Sequence, residues 1–303
     1  MGRVVVLQQD SGKQRFYTSH ADDVACLAKF EPIDNHVAGG PDAEEEAAAA
    51  DGEEPPPLIL ASAAVGPTGD VHVWDSDSLD RLAALSHGFP VRHMSLSPHD
   101  CASLATIGGR DGASTLTVWD WRGERHLVER HCQDNVPFAD VKCNPFFDVQ
   151  SGEQDQVWAV TCGPRGVTFW ILHEPAREGA QYKLSAEPGG LHHVSDHSED
   201  LLALCAHFVS SSVLVTGMAD GDIVTWRGMG SVSRLRLSHP GGVFDISGNM
   251  TAMLSGGKDC VLRVWDVSAF KGSSLPQSRM IHCKGMLQDR AACVRSVCIG
   301  TGG

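Results

Sequence analysis

Five tryptophans, at positions 74, 119, 170, 226 and 265, restrict what this chain can fold into more than any other feature. Each sits near the end of a short β-type run: DVHVWD to Asp75, TLTVWDW to Trp121, GVTFWIL to Leu172, GDIVTWRG to Gly228 and VLRVWDV to Val267. Successive spacings of 45, 51, 56 and 39 residues bracket the roughly 40 to 45 residues of one four-stranded propeller blade, with loop insertions making up the excess. A repeat of that size cannot bury its apolar face alone and must stack on its neighbours. The expected fold class is all-β, a WD-repeat β-propeller of five complete four-stranded blades with partial blade strands at both termini.

Within each unit the same order of short strands recurs. In the fifth, Val243 to Ile246 is followed by Ala252 to Ser255, a Gly-Gly-Lys-Asp turn, Val261 to Trp265 and an outer strand near Arg279 to His282. The second reads likewise, as Val91 to Leu96, Ser103 to Ile107, Thr115 to Trp119 and His126 to Glu129. Helical periodicity is sustained nowhere. Complete units are expected over 21–87, 88–132, 133–190, 191–239 and 240–285. Val4 to Leu7 and Gln14 to Thr18 read as the last two strands of a preceding blade, and Val294 to Ile299 as the first strand of a following one. Combined, these pieces would make a sixth, three-stranded blade; left apart, they would expose unpaired edges. Residues 1–303 thus read as one propeller, interrupted at 35–57 by an alanine tetrad, an acidic run and three prolines. That insertion cannot bury enough apolar surface to offset its ordering entropy, and it is expected to be a disordered loop.

Composition narrows the class of function. With 42% hydrophobic and 20% charged residues the chain has an ordinary globular balance, and no apolar run approaches the roughly 18 to 20 residues of a membrane helix. Val4 to Leu7 is too short for a secretory signal, so a cytoplasmic protein that binds no membrane is expected. None of the ten cysteines forms a C-x-x-C pair, which points to reduced, structural thiols. The formal charge is −14, and the seven acids of Asp42 to Glu54 leave −7 for the rest. An acidic body lacks the clustered Lys and Arg that nucleic acid binding draws on.

Two blades carry a polar pattern that could be chemical. Ser255, Asp259 and Trp265 follow one another at intervals of four and six, with His239 just ahead, and Thr216, Asp220 and Trp226 repeat both intervals. Ser, His and Asp invite a hydrolase reading, which requires nucleophile, base and orienter within hydrogen-bond reach. Recurrence once per repeat favours instead a structural chain from indole to hydroxyl to imidazole to carboxylate, and no catalytic residue is assigned. His192, His193 and His197 cluster, and His193 with His197 at i, i+4 would suit zinc on a helix, yet they fall in a polar inter-blade loop without a cysteine or H-E-x-x-H partner. Gly108 to Gly112 and Gly256 to Asp259 resemble phosphate loops only superficially, since no helix follows either. Neither metal nor cofactor is expected. Propellers bind partners through the loops on their two faces, where Arg110, Arg165, Arg227 and Lys258 are candidate contacts, the plainer alternative being ordinary solvated charges.

Several strings match more than a generic WD repeat. Gln14 to Ala28 (QRFYTSHADDVACLA), His72 to Leu82 (HVWDSDSLDRL), Thr115 to Gly123 (TLTVWDWRG), Val160 to Leu172 (VTCGPRGVTFWIL), His239 to Phe244 (HPGGVF) and Leu254 to Asp259 (LSGGKD) come in one order. In that order they resemble the first propeller of the echinoderm microtubule-associated protein (EMAP)-like family, over nearly the whole chain apart from 35–57. The resemblance implies a non-enzymatic scaffold of the cytoplasm and cytoskeleton, cilia included, whose partners are tubulin and microtubules. It also implies a hydrophobic bridging motif, a second propeller and a basic N-terminal region, none of which lies within these residues. The chain is therefore expected to be a truncated piece, with the microtubule role belonging to the complete protein. The competing expectation is a general WD-repeat scaffold that gathers signalling or ubiquitin-ligase proteins without touching tubulin.

Overall fold

The computed structural model describes residues 4–7, 14–30, 58–98, 102–110, 113–131, 138–147, 156–175, 177, 181–190, 202–249, 251–268, 276–283 and 293–299. The 35–57 insertion and the His192, His193 and His197 cluster lie outside them. A short pair, β1 (Val4–Leu7) and β2 (Gln14–Tyr17), comes first. Blade 1 is β3 (Val24–Lys29), β4 (Ile59–Ala64), β5 (Asp70–Asp75) and β6 (Arg81–Ser86). Blade 2 is β7 (Val91–Leu96), β8 (Ser103–Gly108), β9 (Thr115–Asp120) and β10 (Arg125–His131). Blade 3 is β11 (Asp140–Cys143), β12 (Ala159–Gly163), β13 (Gly166–His173) and β14 (Lys183–Pro188). Blade 4 is β15 (Ala203–Ser210), β16 (Val213–Met218), β17 (Ile223–Arg227) and β18 (Gly230–Leu235). Blade 5 is β19 (Val243–Gly248), β20 (Ala252–Gly257), β21 (Val261–Asp266) and β22 (Gln277–His282). Every blade is an antiparallel sheet whose four strands pair in chain order, and the five blades form a β-propeller.

Side-chain alternation explains why the blades stack. On β8, Leu104 packs toward blade 1, whereas its neighbours Ala105 and Ile107 pack toward blade 3. On β16, Leu214 joins the seam with blade 3 while Val213 and Val215 join the seam with blade 5. The second and third strands are consequently covered on both faces, and β8, β12, β16 and β17 read as nearly unbroken apolar runs. Among the outer strands, β6 buries only Ala83 and Leu85, and β10 is exposed or half-buried along its whole length. Four separate apolar clusters result, one at each seam between consecutive blades.

Among the described residues, the pieces near the two ends do not meet in one sheet. The β1–β2 pair docks on blade 1, where the Tyr17 ring stacks on Trp74 at 4.4 Å and the Arg15 guanidinium donates to the carbonyls of Ser76 and Asp77. Val294 to Ile299, expected as the first strand of a following blade, pair into no sheet among the described residues. Their donors are engaged on blade 5 instead: Val294 N–H donates to the Gly257 carbonyl at 3.0 Å, and Val297 N–H and Ser296 Oγ donate to the Asp245 carboxylate at 2.8 and 3.0 Å. Gly256 permits this close approach, because a Cβ there would stand 2.3 Å from Val294 Cγ1. Among the described residues no helix is long and apolar enough to cross a membrane.

Leu104 is fully buried and Leu82 is 45% exposed on an outer strand. Leu104→Ala is expected to cost about 2–5 kcal/mol in chemical denaturation, and Leu82→Ala less than about 0.5 kcal/mol. Equal effects would mean that the seams do not carry the stability.

Candidate functional site

One hydrogen bond recurs in all five blades. The indole N–H donates to a hydroxyl on the second strand: Trp74 to Ser62 at 3.1 Å, and Trp119 to Thr106, Trp170 to Thr161, Trp226 to Thr216 and Trp265 to Ser255, each at 2.9 Å. In chain terms the intervals are 12, 13, 9, 10 and 10 residues. Across the ladder they are identical. Each tryptophan pairs with Leu60, Leu104, Ala159, Leu214 or Met253, and the hydroxyl lies two residues further on. Sequence spacing isolates Thr216 and Ser255 because their blades share a turn length; Ser62, Thr106 and Thr161 become visible only in the register. The bond also aims each indole, since every tryptophan packs into the seam on its N-terminal side.

Blade 5 extends the bond into a relay. Ser255 Oγ is 2.7 Å from His239 Nε2, and His239 Nδ1 is 2.9 Å from Asp259 Oδ1. Ser255 Oγ thus accepts from the indole and meets Nε2, while Nδ1 faces both the Asp259 carboxylate and Arg263 Nη1, the latter at 2.8 Å. Arg263, which spacing did not reveal, donates to Asp259 Oδ2 at 2.8 Å and closes the chain. Burial pushes the His239 imidazole below its ordinary value against the pull of Asp259. Burial also raises Asp259, but the hydrogen bonds from His239 and Arg263 outweigh it and hold the carboxyl below its usual range. Ser255 and His239 have no exposed surface, so neither can meet a substrate from solvent.

The other blades vary the turn position while keeping the buried bond. In blade 4, Asp220 does not join a relay with Thr216; it accepts from Asp222 N–H at 3.0 Å and from Arg234 at 2.6 Å, and Arg234 also grips Asp222. Counting four residues on from the hydroxyl, blades 2 and 3 place Arg110 and Arg165 where blades 4 and 5 place Asp220 and Asp259. Arg110 donates to the carbonyls of Pro67 and Gly88 at 3.2 and 2.9 Å, tying blade 2 to the loops of blade 1. In blade 1 that position is Gly66, and the space its Cβ would fill is taken by the Asp22 carboxylate, 2.6 Å away. His20 reaches Ser62 there at 2.7 Å and stacks on His72 at 4.0 Å, while the Tyr17 hydroxyl and His72 Nδ1 lie 3.1 Å apart. Strand alternation sorts the candidate contact residues. Arg110, Arg165 and Lys258 occupy turns between second and third strands at one end of the propeller, and Arg227 begins the third-to-fourth-strand turn at the other end. The four do not form one surface. Among the described residues, no three His, Cys, Asp or Glu side chains are grouped to hold a metal ion.

Thr106→Val strands a buried indole N–H and is expected to cost about 1–3 kcal/mol, whereas Lys258→Ala should cost less than about 0.5 kcal/mol. Thermal unfolding followed at the tryptophans checks both. Burial lowers His72, His87 and His207 from 6.5 to about 4 each. Their folded-state pKa values lie below the unfolded value, so as pH falls the unfolded chain takes up these protons first. The stability they contribute is complete above pH 6.5 and is lost between about 6.5 and 4. Tm should fall steeply across that window, and His87→Phe should flatten the fall; a Tm level from pH 7 to 4.5 would contradict the assignment.

The chain matches the family model described as the echinoderm microtubule-associated protein first beta-propeller over residues 13–302. It is 27% identical to echinoderm microtubule-associated protein-like 2 of Homo sapiens over 282 residues, which is 90% of this chain and 38% of that protein. Against echinoderm microtubule-associated protein-like 1 of Rattus norvegicus it is 27% identical over 270 residues, 87% of this chain and 29% of that one. With the 77 kDa echinoderm microtubule-associated protein of Strongylocentrotus purpuratus it shares 25% identity over 310 aligned positions, 100% of this chain and 38% of that protein. The chain thus spans about a third of the length of these relatives. Among solved structures, the Myceliophteria thermophila Cps50 (Swd1) propeller domain superposes with a TM-score of 0.56 at 14% identity, covering 73% of this chain and 68% of that one. The computationally designed Ika8 protein gives 0.53 at 19% identity, covering 89% and 67%. Both likenesses concern the fold. Because that family model covers residues 13–302, the chain belongs to the echinoderm microtubule-associated protein first-propeller family.

Proposed function

We propose that this chain is a non-enzymatic binding propeller that attaches to tubulin or microtubules and helps organise the cytoskeleton from the cytoplasm. The observation that carries the reading is the family match over residues 13–302. The relatives it aligns with are named as microtubule-associated proteins. The Ser255, His239 and Asp259 set supports a scaffold over a hydrolase for a physical reason: the nucleophile's hydroxyl accepts the Trp265 indole proton in a sealed interior. A catalytic serine needs an open approach and a neighbouring oxyanion site.

Co-sedimentation with stabilised microtubules tests this, using the chain itself and a longer version extended at both ends. Saturable pelleting of either one is expected. Pelleting by neither, alongside recovery of ligase or kinase subunits without tubulin from cells, would replace the reading with the general scaffold.

A further inference from the structure

Blade 1 repeats the blade 5 relay without its carboxylate. His20 meets Ser62 as His239 meets Ser255, at 2.7 Å in both. Gly66 stands where blade 5 has Asp259 to receive the second ring nitrogen, and His20 Nδ1 is buried with no hydrogen-bond partner among the described residues. On the ladder His72 faces Ser62 as Arg263 faces Ser255, and its ring lies flat on His20, 4.0 Å away with 8° between the planes. Both rings are buried. The other ionisable groups here are the Tyr17 hydroxyl beside His72 Nδ1, the Asp22 carboxylate at Gly66, and Asp70 and Arg81, which act on both rings with opposite sign.

The pair also joins two pieces of chain. His20 and Tyr17 belong to the segment 14–20, and His72 belongs to β5. Among the described residues the β1–β2 pair hydrogen-bonds to no further strand, so side chains hold this segment on blade 1. They are Arg15 on two carbonyls, Tyr17 stacked on Trp74, and the two histidines.

We propose that His20 and His72 form an acid-sensitive clasp, which holds the β1–β2 pair on blade 1 and releases it, with the blades intact, when the two rings become charged. Two imidazolium rings face to face in a buried site, with no carboxylate at the Gly66 position, repel one another. Burial lowers His20, and burial together with the neighbouring His20 lowers His72 from 6.5 to about 4. Since the docked values lie below the free ones, the clasp is complete above pH 6.5 and weakens as pH falls toward 4. Release uncovers Trp74 and the Val24, Leu60 and Leu79 side chains packed with it. A two-stranded hairpin alone is marginal in water, so β1 and β2 unpair once free.

Hydrogen exchange of the intact chain, read by mass spectrometry and corrected for the intrinsic pH dependence of amides, tests the clasp. With His72 titrating at 6.5 when free and about 4 when docked, opening of β1 and β2 should become about twentyfold easier between pH 7 and 5. The central strands β12 and β16, which open only with the propeller, should stay better protected at every pH. His72→Thr installs the residue type of Thr117 and Thr168, which hold the same ladder position in blades 2 and 3, and should cut the response below about fivefold. His72→Arg sets a fixed charge against His20 and should free β1 and β2 already at pH 7, with β12 and β16 still protected. His87→Phe acts on the propeller as a whole and should leave the response of β1 and β2 unchanged. Protection of β1 and β2 that holds to pH 5, that equals that of β12 and β16 at every pH, or that responds as before in His72→Thr overturns the clasp. A His72→Arg chain with β1 and β2 protected at pH 7 does the same.

Discussion

The indole-to-hydroxyl bond is the constraint on which the other features rest. A net contribution of about 1 kcal/mol per bond is small against the seams, but its directional effect is larger than its energy. A strand that slips by one residue turns every side chain to the opposite face. By joining the third strand to the second at a fixed offset in the ladder, the bond sets which seam each tryptophan enters. Exposures from 0 to 8% for the five indoles follow from that aim.

Polar chemistry around the bond divides by depth. The hydroxyl and indole are sealed, so an unmade bond there would leave a donor without water, and all five blades make it. The turn residue four positions beyond the hydroxyl can be a carboxylate, a guanidinium or no side chain at all, exposed at Arg110, Arg165 and Asp220, half-buried at Asp259 and buried at Gly66. Asp259, Arg110 and Gly66 show all three solutions within one chain. The full relay of blade 5 is therefore one elaboration of the bond, and Asp220 illustrates another, in which the carboxylate braces an outer-strand arginine.

Much of the architecture could be read from the chain because propeller repeats put their signals in local runs. The apolar middle strands and the tryptophan at the end of each third strand are contiguous patterns. What could not be read depended on distance counted through space. Thr161 lies nine residues before its tryptophan and Thr106 thirteen, because the intervening turns differ, so linear spacing conceals a shared position. His20 reaches Ser62 across a long insertion, and Arg263 enters its relay from a strand where alternation alone gives no hint of a partner. Val294 to Ile299 look like a strand by composition, yet their donors are taken by Asp245 and Gly257. The separation of Arg227 from the other three candidate residues was available in principle, since alternate turns of an antiparallel sheet lie at opposite ends.

Counting the bond across the ladder also bears on how such a chain can change over generations. An insertion or deletion between the second and third strands lengthens or shortens the hairpin tip without shifting tryptophan or hydroxyl relative to one another. Tip length is thereby uncoupled from the interior, and selection can explore new loop shapes on that rim while the scaffold tolerates the indels. The same alteration placed between the hydroxyl and the residue paired with the tryptophan, a span of two residues, would break register and interior together. Tolerance to length variation should accordingly be lopsided within every blade, generous at the hairpin tip and nearly absent along the strands that meet the indole.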